Sequence, residues 1–324
     1  MKAMIQHVYG SLDVLRFEDI DVPDVGDGEV LVRVQAAGLD AGVWHLMTGK
    51  PYLLRLFGFG LRKPKLPVRG RDLAGTVKAV GKDVTRFRPG DEVFGTSLGG
   101  TFAEYAVAGE DRLELKPVNL TFEQAAALPV SACAALHGLR DSGRVQKGQK
   151  VLIIGAGGGF GTFAVQLAKA YGANVTAVCS TGKLDLVRSI GADNVIDYTR
   201  EDYADGGQRY DLILEIAGNA ELSRLRRALT PTGTLVLAGG EGGGPLFGGV
   251  DRQLRGLLLS MAVGQKIRAL VSGEGTKDLR DLRELIEAGK ITPVIDRTYS
   301  LSEVPDAIRD LRAGHARGKL VISV

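Results

Sequence analysis

The chain has very little cysteine and lacks any long apolar run. Two cysteines, Cys133 and Cys179, are too few for a disulfide framework or a four-thiolate zinc site, so we expect both to be small buried residues. No segment approaches the ~20 apolar residues of a membrane span. The N-terminus also has no apolar stretch of signal-peptide length. These absences predict a cytoplasmic protein that binds no membrane.

The chain also lacks a strong excess of charge of either sign. Its 41 basic and 38 acidic residues leave a net charge of +3, which is too small to predict a nucleic-acid partner. Basic residues do gather between Arg55 and Arg71. We interpret this run as a solvated loop, and the alternative is an electropositive rim that attracts an anionic cofactor or substrate.

The hydrophobic pattern predicts an α/β protein with two domains. Short alternating segments over residues 1–120 predict an irregular, mostly antiparallel β barrel or sandwich. From Lys150 onward, strands and helices alternate with the spacing of a doubly wound parallel sheet. The predicted strands of that sheet are 151–154, 174–179, 194–197, 211–216 and 233–238. The remainder is predicted as a helix at 276–289, a strand at 294–299, a helix at 302–313 and a closing strand at 318–324. We therefore predict a β-rich domain formed by 1–121 and 275–324, with a doubly wound domain inserted at 122–274.

A strand, a glycine-rich turn and a helix follow one another over residues 151–168. This order predicts a dinucleotide site, because glycines let the backbone approach a pyrophosphate and the helix N-terminus offers free N–H groups. In the GxGxxG register alanine replaces the first glycine. The predicted cofactor-binding residues of the turn are Ala156, Gly158, Gly159, Phe160 and Gly161. A nicotinamide dinucleotide would make the protein a hydride-transfer enzyme; the alternative is a turn that binds nothing.

The end of the second strand favours NADPH over NADH. An NAD enzyme usually places a carboxylate there for the adenosine ribose, whereas this chain has Ser180 and then Lys183. A hydroxyl and an ammonium can receive a 2′-phosphate through charge-assisted hydrogen bonds, and a carboxylate would repel it. A solvated lysine at a helix start is the alternative for Lys183.

The chain resembles the zinc-independent, quinone oxidoreductase-like branch of the medium-chain dehydrogenase/reductase superfamily. The resemblance covers essentially the whole length and rests on Gly70–Gly81, Phe87–Phe94, the glycine turn and Leu186–Tyr198. It implies a GroES-like β-rich catalytic domain and an inserted Rossmann NADP-binding domain. We also expect a homodimer, because the apolar segment 254–263 is suited to a dimer interface. The resemblance also implies that Ser180, Lys183 and Tyr198 hold the 2′-phosphate. We add Arg317, the nearest match to an arginine that joins this site in some relatives, and Lys319 to the cofactor-binding set.

The same resemblance implies that a catalytic zinc site has been lost. The three zinc-ligand positions of related alcohol dehydrogenases fall on Asp40, Arg71 and Ser131. A guanidinium cannot ligate a metal, and two oxygens hold zinc poorly, so we predict no metal. We expect Asp40 and Arg71 to form an ion pair in that space. Quinone reductases commonly have asparagine in place of Asp40, which donates to the substrate carbonyl as an aspartate cannot.

Two residues are candidates for proton transfer. His45 falls where zinc enzymes keep a proton-relay histidine, although Gly42 replaces the hydroxyl residue that begins the relay; a structural histidine beside Trp44 is the alternative. Tyr52 begins an apolar, glycine-hinged loop over residues 51–60 that is either a lid over the substrate or a packed loop.

We therefore predict an NADPH-dependent, zinc-independent oxidoreductase that transfers hydride to a hydrophobic conjugated acceptor, either a quinone or the C=C bond of an enone. Asp40, His45, Tyr52 and Arg71 are its candidate catalytic residues, with solvent as another proton source. One alternative is metal-free alcohol or carbonyl oxidoreduction with Arg71 as electrophile. Another is a family member that binds NADPH without turnover.

Overall fold

The structure is a computed structural model that describes residues 1–53, 55–240, 244 and 246–324, the side chains of residues 57 and 58 excepted. The predicted lid loop at 51–60 includes Leu54, which lies outside the described residues. The strands in chain order are β1 Lys2–Ile5, β2 Arg16–Asp19, β3 Glu29–Leu39, β4 Asp72–Val80, β5 Glu92–Thr96, β6 Tyr105–Gly109, β7 Leu113–Leu115, β8 Lys150–Ile154, β9 Asn174–Cys179, β10 Asn194–Asp197, β11 Tyr210–Glu215, β12 Leu229–Leu237, β13 Lys266–Ala269, β14 Ile295–Ser300 and β15 Lys319–Ser323. The helices are α1 Ala41–Thr48, α2 Phe122–Ala126, α3 Pro129–Leu136, α4 Gly159–Ala170, α5 Leu184–Ser189, α6 Leu222–Ala228, α7 Val250–Ser260, α8 Thr276–Glu287 and α9 Val304–Ala313.

The chain divides into two compact units. The first comprises residues 1–133, 273–289 and 293–324, and the second comprises residues 134–272 and 290–292. The predicted boundary after residue 121 falls earlier than this division. The structure places α2 in the first unit because it packs on β3 and β4, with Ala125 and Ala126 fully buried. Thr121 caps α2, where its hydroxyl accepts the Gln124 N–H and the Gln124 side chain accepts the Thr121 N–H in a capping box.

The first unit is built on a curled, mostly antiparallel sheet with strand order β14-β15-β3-β4-β5-β7. β6 pairs with the N-terminal part of β3, and β15 pairs with its C-terminal part. Valines on alternate positions of β3 are buried, as the alternating pattern predicts. Residues 101–108 also have the composition of a strand, but β6 begins only at Tyr105. The residues before it instead bond to β1, where the Met4 N–H donates to the Phe102 carbonyl.

The second unit is a doubly wound domain. Its six strands are all parallel in the order β10-β9-β8-β11-β12-β13, which is the dinucleotide-binding order. The five predicted strands match β8 to β12, and β13 is an edge strand that the pattern did not predict. Residues 151–153 of β8 are fully buried, as befits a strand covered on both faces. The predicted α/β fold class is confirmed. Among the described residues, no helix has the length and apolar character needed to cross a membrane.

Candidate functional site

The glycine turn of the second unit joins β8 to α4. Its left-handed residue is Gly155, with φ of +91°, so the alanine that follows at position 156 carries no backbone strain. A Cβ on Gly161 would lie 2.2 Å from the Gly155 carbonyl oxygen, so only glycine lets the helix pack this closely. A Cβ on Gly158, the N-cap of α4, would have no neighbour nearer than 3.8 Å. The backbone over Gly158 and the first turn of α4, which includes Gly159 and Phe160, is therefore open to an anionic ligand.

The residues predicted to hold a 2′-phosphate lie at the ends of two paired strands. Cys179 of β9 is in register with Asp197 of β10, so the next residues, Ser180 and Tyr198, leave the same edge of the parallel sheet. The aliphatic stem of Lys183 packs on the glycine turn: a Cβ on Gly157 would lie 2.7 Å from Lys183 Cδ. The Tyr198 ring is 59% exposed. The structure thus brings Ser180 and Tyr198 to one sheet edge and Lys183 to the glycine turn.

Asp197 organises that edge, a role that sequence reasoning missed. Its carboxylate accepts hydrogen bonds from the Thr181 hydroxyl at 2.5 Å, the Thr199 hydroxyl at 2.7 Å and the Thr199 N–H at 3.0 Å. The hydrogen bonds from Thr181 and Thr199 hold the pKa of Asp197 below its usual value, so the carboxylate remains charged. It links the turns that follow β9 and β10 and thereby fixes the backbone that carries Ser180 and Tyr198.

The first unit contains a cavity of about 630 Å³. Its walls are mostly apolar, with a few polar and cationic groups, which is the usual make-up of a small-molecule site. The lining residues are Tyr9, Gly42, Val43, His45, Leu46, Phe59, Lys65, Leu66, Val68, Arg69, Gly70, Arg71 and Leu98. Two of the predicted catalytic residues, His45 and Arg71, are therefore found together at one cavity.

The predicted ion pair between Asp40 and Arg71 is wrong. Arg71 instead donates from Nη2 to Glu274 Oε2 at 2.6 Å, and Glu274 is almost completely buried. Asp40 is the N-cap of α1, where its Oδ1 accepts the Gly42 N–H at 2.6 Å. Its Oδ2 is buried with no hydrogen-bond partner among the described residues. Capping competes for the carboxylate, and Glu274, 203 residues away in sequence, supplies the counter-ion that Arg71 needs.

Lys319, predicted to bind the cofactor, lies instead in the interior of the first unit. It is 2% exposed, and its Nζ donates to Ser131 Oγ at 3.0 Å and to Asp72 Oδ2 at 3.4 Å. Asp72 also accepts the Val130 N–H at 3.0 Å. Burial raises the pKa of Asp72 to about 7, against the opposing effect of the Lys319 ammonium.

Two of the three zinc-ligand positions of related alcohol dehydrogenases, Arg71 and Ser131, already have bonding partners that bear on whether zinc could bind there. The Arg71 guanidinium has no lone pair and is held by Glu274, and the Ser131 hydroxyl accepts from the Lys319 ammonium. An adjacent buried cation would repel a zinc ion. Among the described residues, no group of three or more histidine, cysteine and carboxylate side chains is arranged to hold a metal. The residues present do not fit zinc.

The remaining predicted residues have mixed positions. His45 Nδ1 lies 2.9 Å from the Lys50 carbonyl oxygen. Because a carbonyl can only accept, Nδ1 is protonated and donates a hydrogen bond to it. Tyr52 is 41% exposed, and the Arg55 guanidinium stacks 4.8 Å from the centre of its ring. Among the described residues, Tyr9 lines the cavity and Tyr52 does not. Arg317 is exposed on the first unit. Cys133 and Cys179 are buried, as predicted.

The interpretation of the basic run as a solvated loop is wrong for Arg55, Arg69 and Arg71, since Arg55 donates to backbone carbonyls and Arg71 pairs with Glu274. Arg62, Lys63 and Lys65 are exposed, but Arg69 is only 6% exposed and lines the cavity. It is buried because it lies between Val68, which bridges to β1, and Gly70, whose φ of +88° turns the chain into β4. Its position between a valine and a glycine is the one sequence signal that could have indicated burial.

The fold and these sites define a nucleotide-binding oxidoreductase built from a β-rich unit and a doubly wound unit. Residues 26–118 match the alcohol dehydrogenase GroES-like domain family, and residues 190–322 match the zinc-binding dehydrogenase family. The chain is 35% identical to 2-methylene-furan-3-one reductase of Solanum lycopersicum, over 99% of this chain and 79% of the relative. It is also 35% identical to the chloroplastic NADPH-dependent alkenal/one oxidoreductase of Arabidopsis thaliana, with the same coverage. The solved structure of the quinone oxidoreductase from Coxiella burnetii superposes with a TM-score of 0.85 at 28% identity, covering 100% of this chain and 99% of the other.

The chain therefore belongs to the medium-chain dehydrogenase/reductase superfamily, in its quinone oxidoreductase-like branch. It is an oxidoreductase that uses a nicotinamide cofactor.

Proposed function

We propose that the protein is an NADPH-dependent, zinc-independent reductase of conjugated acceptors, either quinones or the C=C bond of enones. The observation that carries this proposal is the pairing of two features. A hydroxyl and a lysine, rather than a carboxylate, follow the second strand beside the glycine turn. The family zinc-ligand positions are in turn occupied by side chains that are already bonded to other residues, since Asp40 accepts from Gly42, Arg71 donates to Glu274 and Ser131 accepts from Lys319.

The residues of the second unit fit NADPH. When bound, the nicotinamide supplies the hydride. The open backbone over Gly158 and the N-terminus of α4 would hold the pyrophosphate, and Ser180, Lys183 and Tyr198 would hold the 2′-phosphate. Asp197 positions this edge through the two threonines it binds.

The acceptor would bind in the cavity of the first unit. A conjugated acceptor is favoured because the negative charge that develops on hydride addition spreads over the conjugated system, which lessens the need for a Lewis acid. Apolar walls exclude water and suit a quinone or enone body. The names of the tomato and Arabidopsis relatives point to the same class of acceptor.

The proton would come from His45 or from solvent. His45 lines the cavity, whereas Tyr52 is not among the described residues that do so. Since Nδ1 already donates to the Lys50 carbonyl, His45 can donate a proton into the cavity from Nε2 only as an imidazolium. A loss of activity at rising pH that wild type shows and His45→Gln does not show would support this donor.

Carbonyl reduction is a second candidate, favoured by one observation. The Nε of Arg71 is buried and has no hydrogen-bond partner among the described residues, so this N–H could polarise a carbonyl oxygen. The Glu274 carboxylate, however, neutralises the same guanidinium.

The test is NADPH oxidation measured against a panel of quinones, enones and aldehydes with wild-type protein and Lys183→Ala. We expect turnover of quinones or enones, and a rise in KM for NADPH of about 10-fold or more in K183A, with little change for NADH, because one charge-assisted contact is lost. Equal losses for both cofactors would refute the phosphate assignment. Tight NADPH binding without oxidation by any acceptor would favour a binding protein, and turnover of aldehydes alone would favour carbonyl reduction.

A further inference from the structure

The acceptor cavity has an excess of positive charge. Lys65, Arg69 and Arg71 line it, and none of the described lining residues is acidic. Arg71 is neutralised by Glu274, and Lys65 is exposed to solvent. The charge that remains inside the cavity wall is that of Arg69.

Arg69 is buried without a counter-ion. It is 6% exposed, its Nε is buried with no partner, and within the described part of the chain no carboxylate or carbonyl accepts from its guanidinium. Burial lowers the pKa of Arg69 to about 10, and Tyr9 only partly opposes this shift. Nearby Arg55 is different, because its guanidinium donates to the carbonyls of Gly49 at 2.9 Å and Thr48 at 3.4 Å.

A buried guanidinium without a partner destabilises a fold, because its hydration is lost and nothing replaces it. The loss is recovered when a ligand brings an anion to it. Arginine is suited to this task, since its planar N–H groups match the two oxygens of a carboxylate. The apolar residues around it, including Val43, Leu46 and Leu98, would contact the uncharged body of the same ligand.

We propose that Arg69 binds a carboxylate on the acceptor, so that the substrate class is a conjugated enone or quinone that carries an acid group on an apolar body. This inference rests on the proposed function, which it sharpens by distinguishing acidic acceptors from neutral ones.

The experiment compares 3-benzoylacrylate with its ethyl ester. Reduction adds a hydride and a proton across the C=C bond and gives 3-benzoylpropionate, while NADPH is oxidised to NADP⁺. We expect Arg69→Gln to lower kcat/KM for the acid by about 10- to 100-fold, mainly through KM, and for the ester by less than about 3-fold, as for one lost charge-assisted hydrogen bond. Arg69→Lys should recover part of the loss, because it keeps the charge without the planar fork. Arg62→Gln, a change of an exposed arginine in the same segment, is the matched control and should leave both substrates unchanged.

Binding provides a readout independent of turnover. Calorimetry should show 3-benzoylpropionate binding to wild type and R62Q and a loss of about 10-fold or more in R69Q. Arg69→Met should melt at a higher temperature than wild type, because it removes the unpaired charge and keeps a similar volume.

Three outcomes would overturn the assignment. The first is an acid-to-ester selectivity that is the same in wild type and R69Q, and the second is no binding of 3-benzoylpropionate to wild type. The third is weaker NADPH binding in R69Q with unchanged selectivity, because Arg69 would then bind an anionic group of the cofactor and not of the acceptor. If neither these acceptors nor any quinone or enone of the panel is reduced but 3-benzoylpropionate binding still depends on Arg69, the proposed function fails and the carboxylate site stands.

Discussion

Replacing Lys319 by methionine should make the stability of the protein fall as the pH rises above 7. Lys319 is 2% exposed and is the only cation that contacts the fully buried Asp72 carboxyl among the described ion pairs. Methionine fills a similar volume but removes the ammonium. Asp72 then keeps only the Val130 N–H as a donor in the described structure. Its pKa, already raised to about 7 by burial, must rise further.

The sign and size of the effect follow from proton linkage. An aspartate whose folded pKa exceeds its unfolded value stabilises the fold while it is protonated, and this contribution is lost as pH rises towards the folded pKa. In wild type the loss levels off above the folded pKa of about 7. In Lys319→Met it continues above pH 7 at about 1.4 kcal/mol per pH unit, which reaches about 3 kcal/mol by pH 9. For a chain of this length that corresponds to a further fall in Tm of about 5 °C.

The assay is thermal unfolding of wild type and K319M at half-unit intervals from pH 6 to pH 9. Comparing the two proteins at each pH cancels the titration of all other groups. The control is the double variant Asp72→Asn with Lys319→Met, whose amide cannot titrate and whose difference from wild type should stay constant above pH 7. Parallel curves for K319M and wild type between pH 7 and pH 9 would refute the linkage argument. So would a persistent slope in the double variant.

Two other predictions concern the second unit. Gly157→Ala should raise the KM for NADPH several-fold and leave the KM for NADH nearly unchanged, because the new Cβ would lie 2.7 Å from Lys183 Cδ and displace that side chain. The control is Gly182→Ala, where a Cβ would meet nothing within 4 Å. Equal effects of the two variants would contradict the reasoning. Leu258→Glu should convert the expected homodimer to a monomer in sedimentation experiments, because Leu254, Leu258 and Met261 at α7 are 56%, 69% and 85% exposed. The control Val118→Glu, at an exposed apolar site of the first unit, should leave the dimer intact. A wild-type protein that is already monomeric would contradict the proposed interface.

Local patterns in the sequence predicted the doubly wound unit well. Its strands are continuous apolar segments, and this pattern depends only on neighbours a few residues away. The glycine turn was also predictable, although the left-handed residue proved to be Gly155, one position before the alanine. The 2′-phosphate role of Ser180, Lys183 and Tyr198 stays a prediction.

Partner choice between distant segments was not predictable. Arg71 pairs with Glu274 across 203 residues, and Lys319 with Asp72 across 247. Nothing in the sequence around either residue distinguishes a buried ion pair from a surface charge. Asp40 was misassigned for a local reason, since its position before α1 also suits an N-cap, which is the role that the structure gives it.

The misfit to zinc involves more residues than the three family ligand positions. Glu274 balances the charge of Arg71, and Asp72 balances that of Lys319, whose ammonium donates to Ser131. Restoring histidine at position 71 and cysteine at position 131 would leave Glu274 without its guanidinium and Lys319 without its hydroxyl acceptor. Leaving such charges unpaired in the interior costs several kcal/mol each. Of these paired residues Arg71 lines the cavity with its charge balanced by Glu274, whereas Arg69 is the lining arginine whose charge the described residues do not balance.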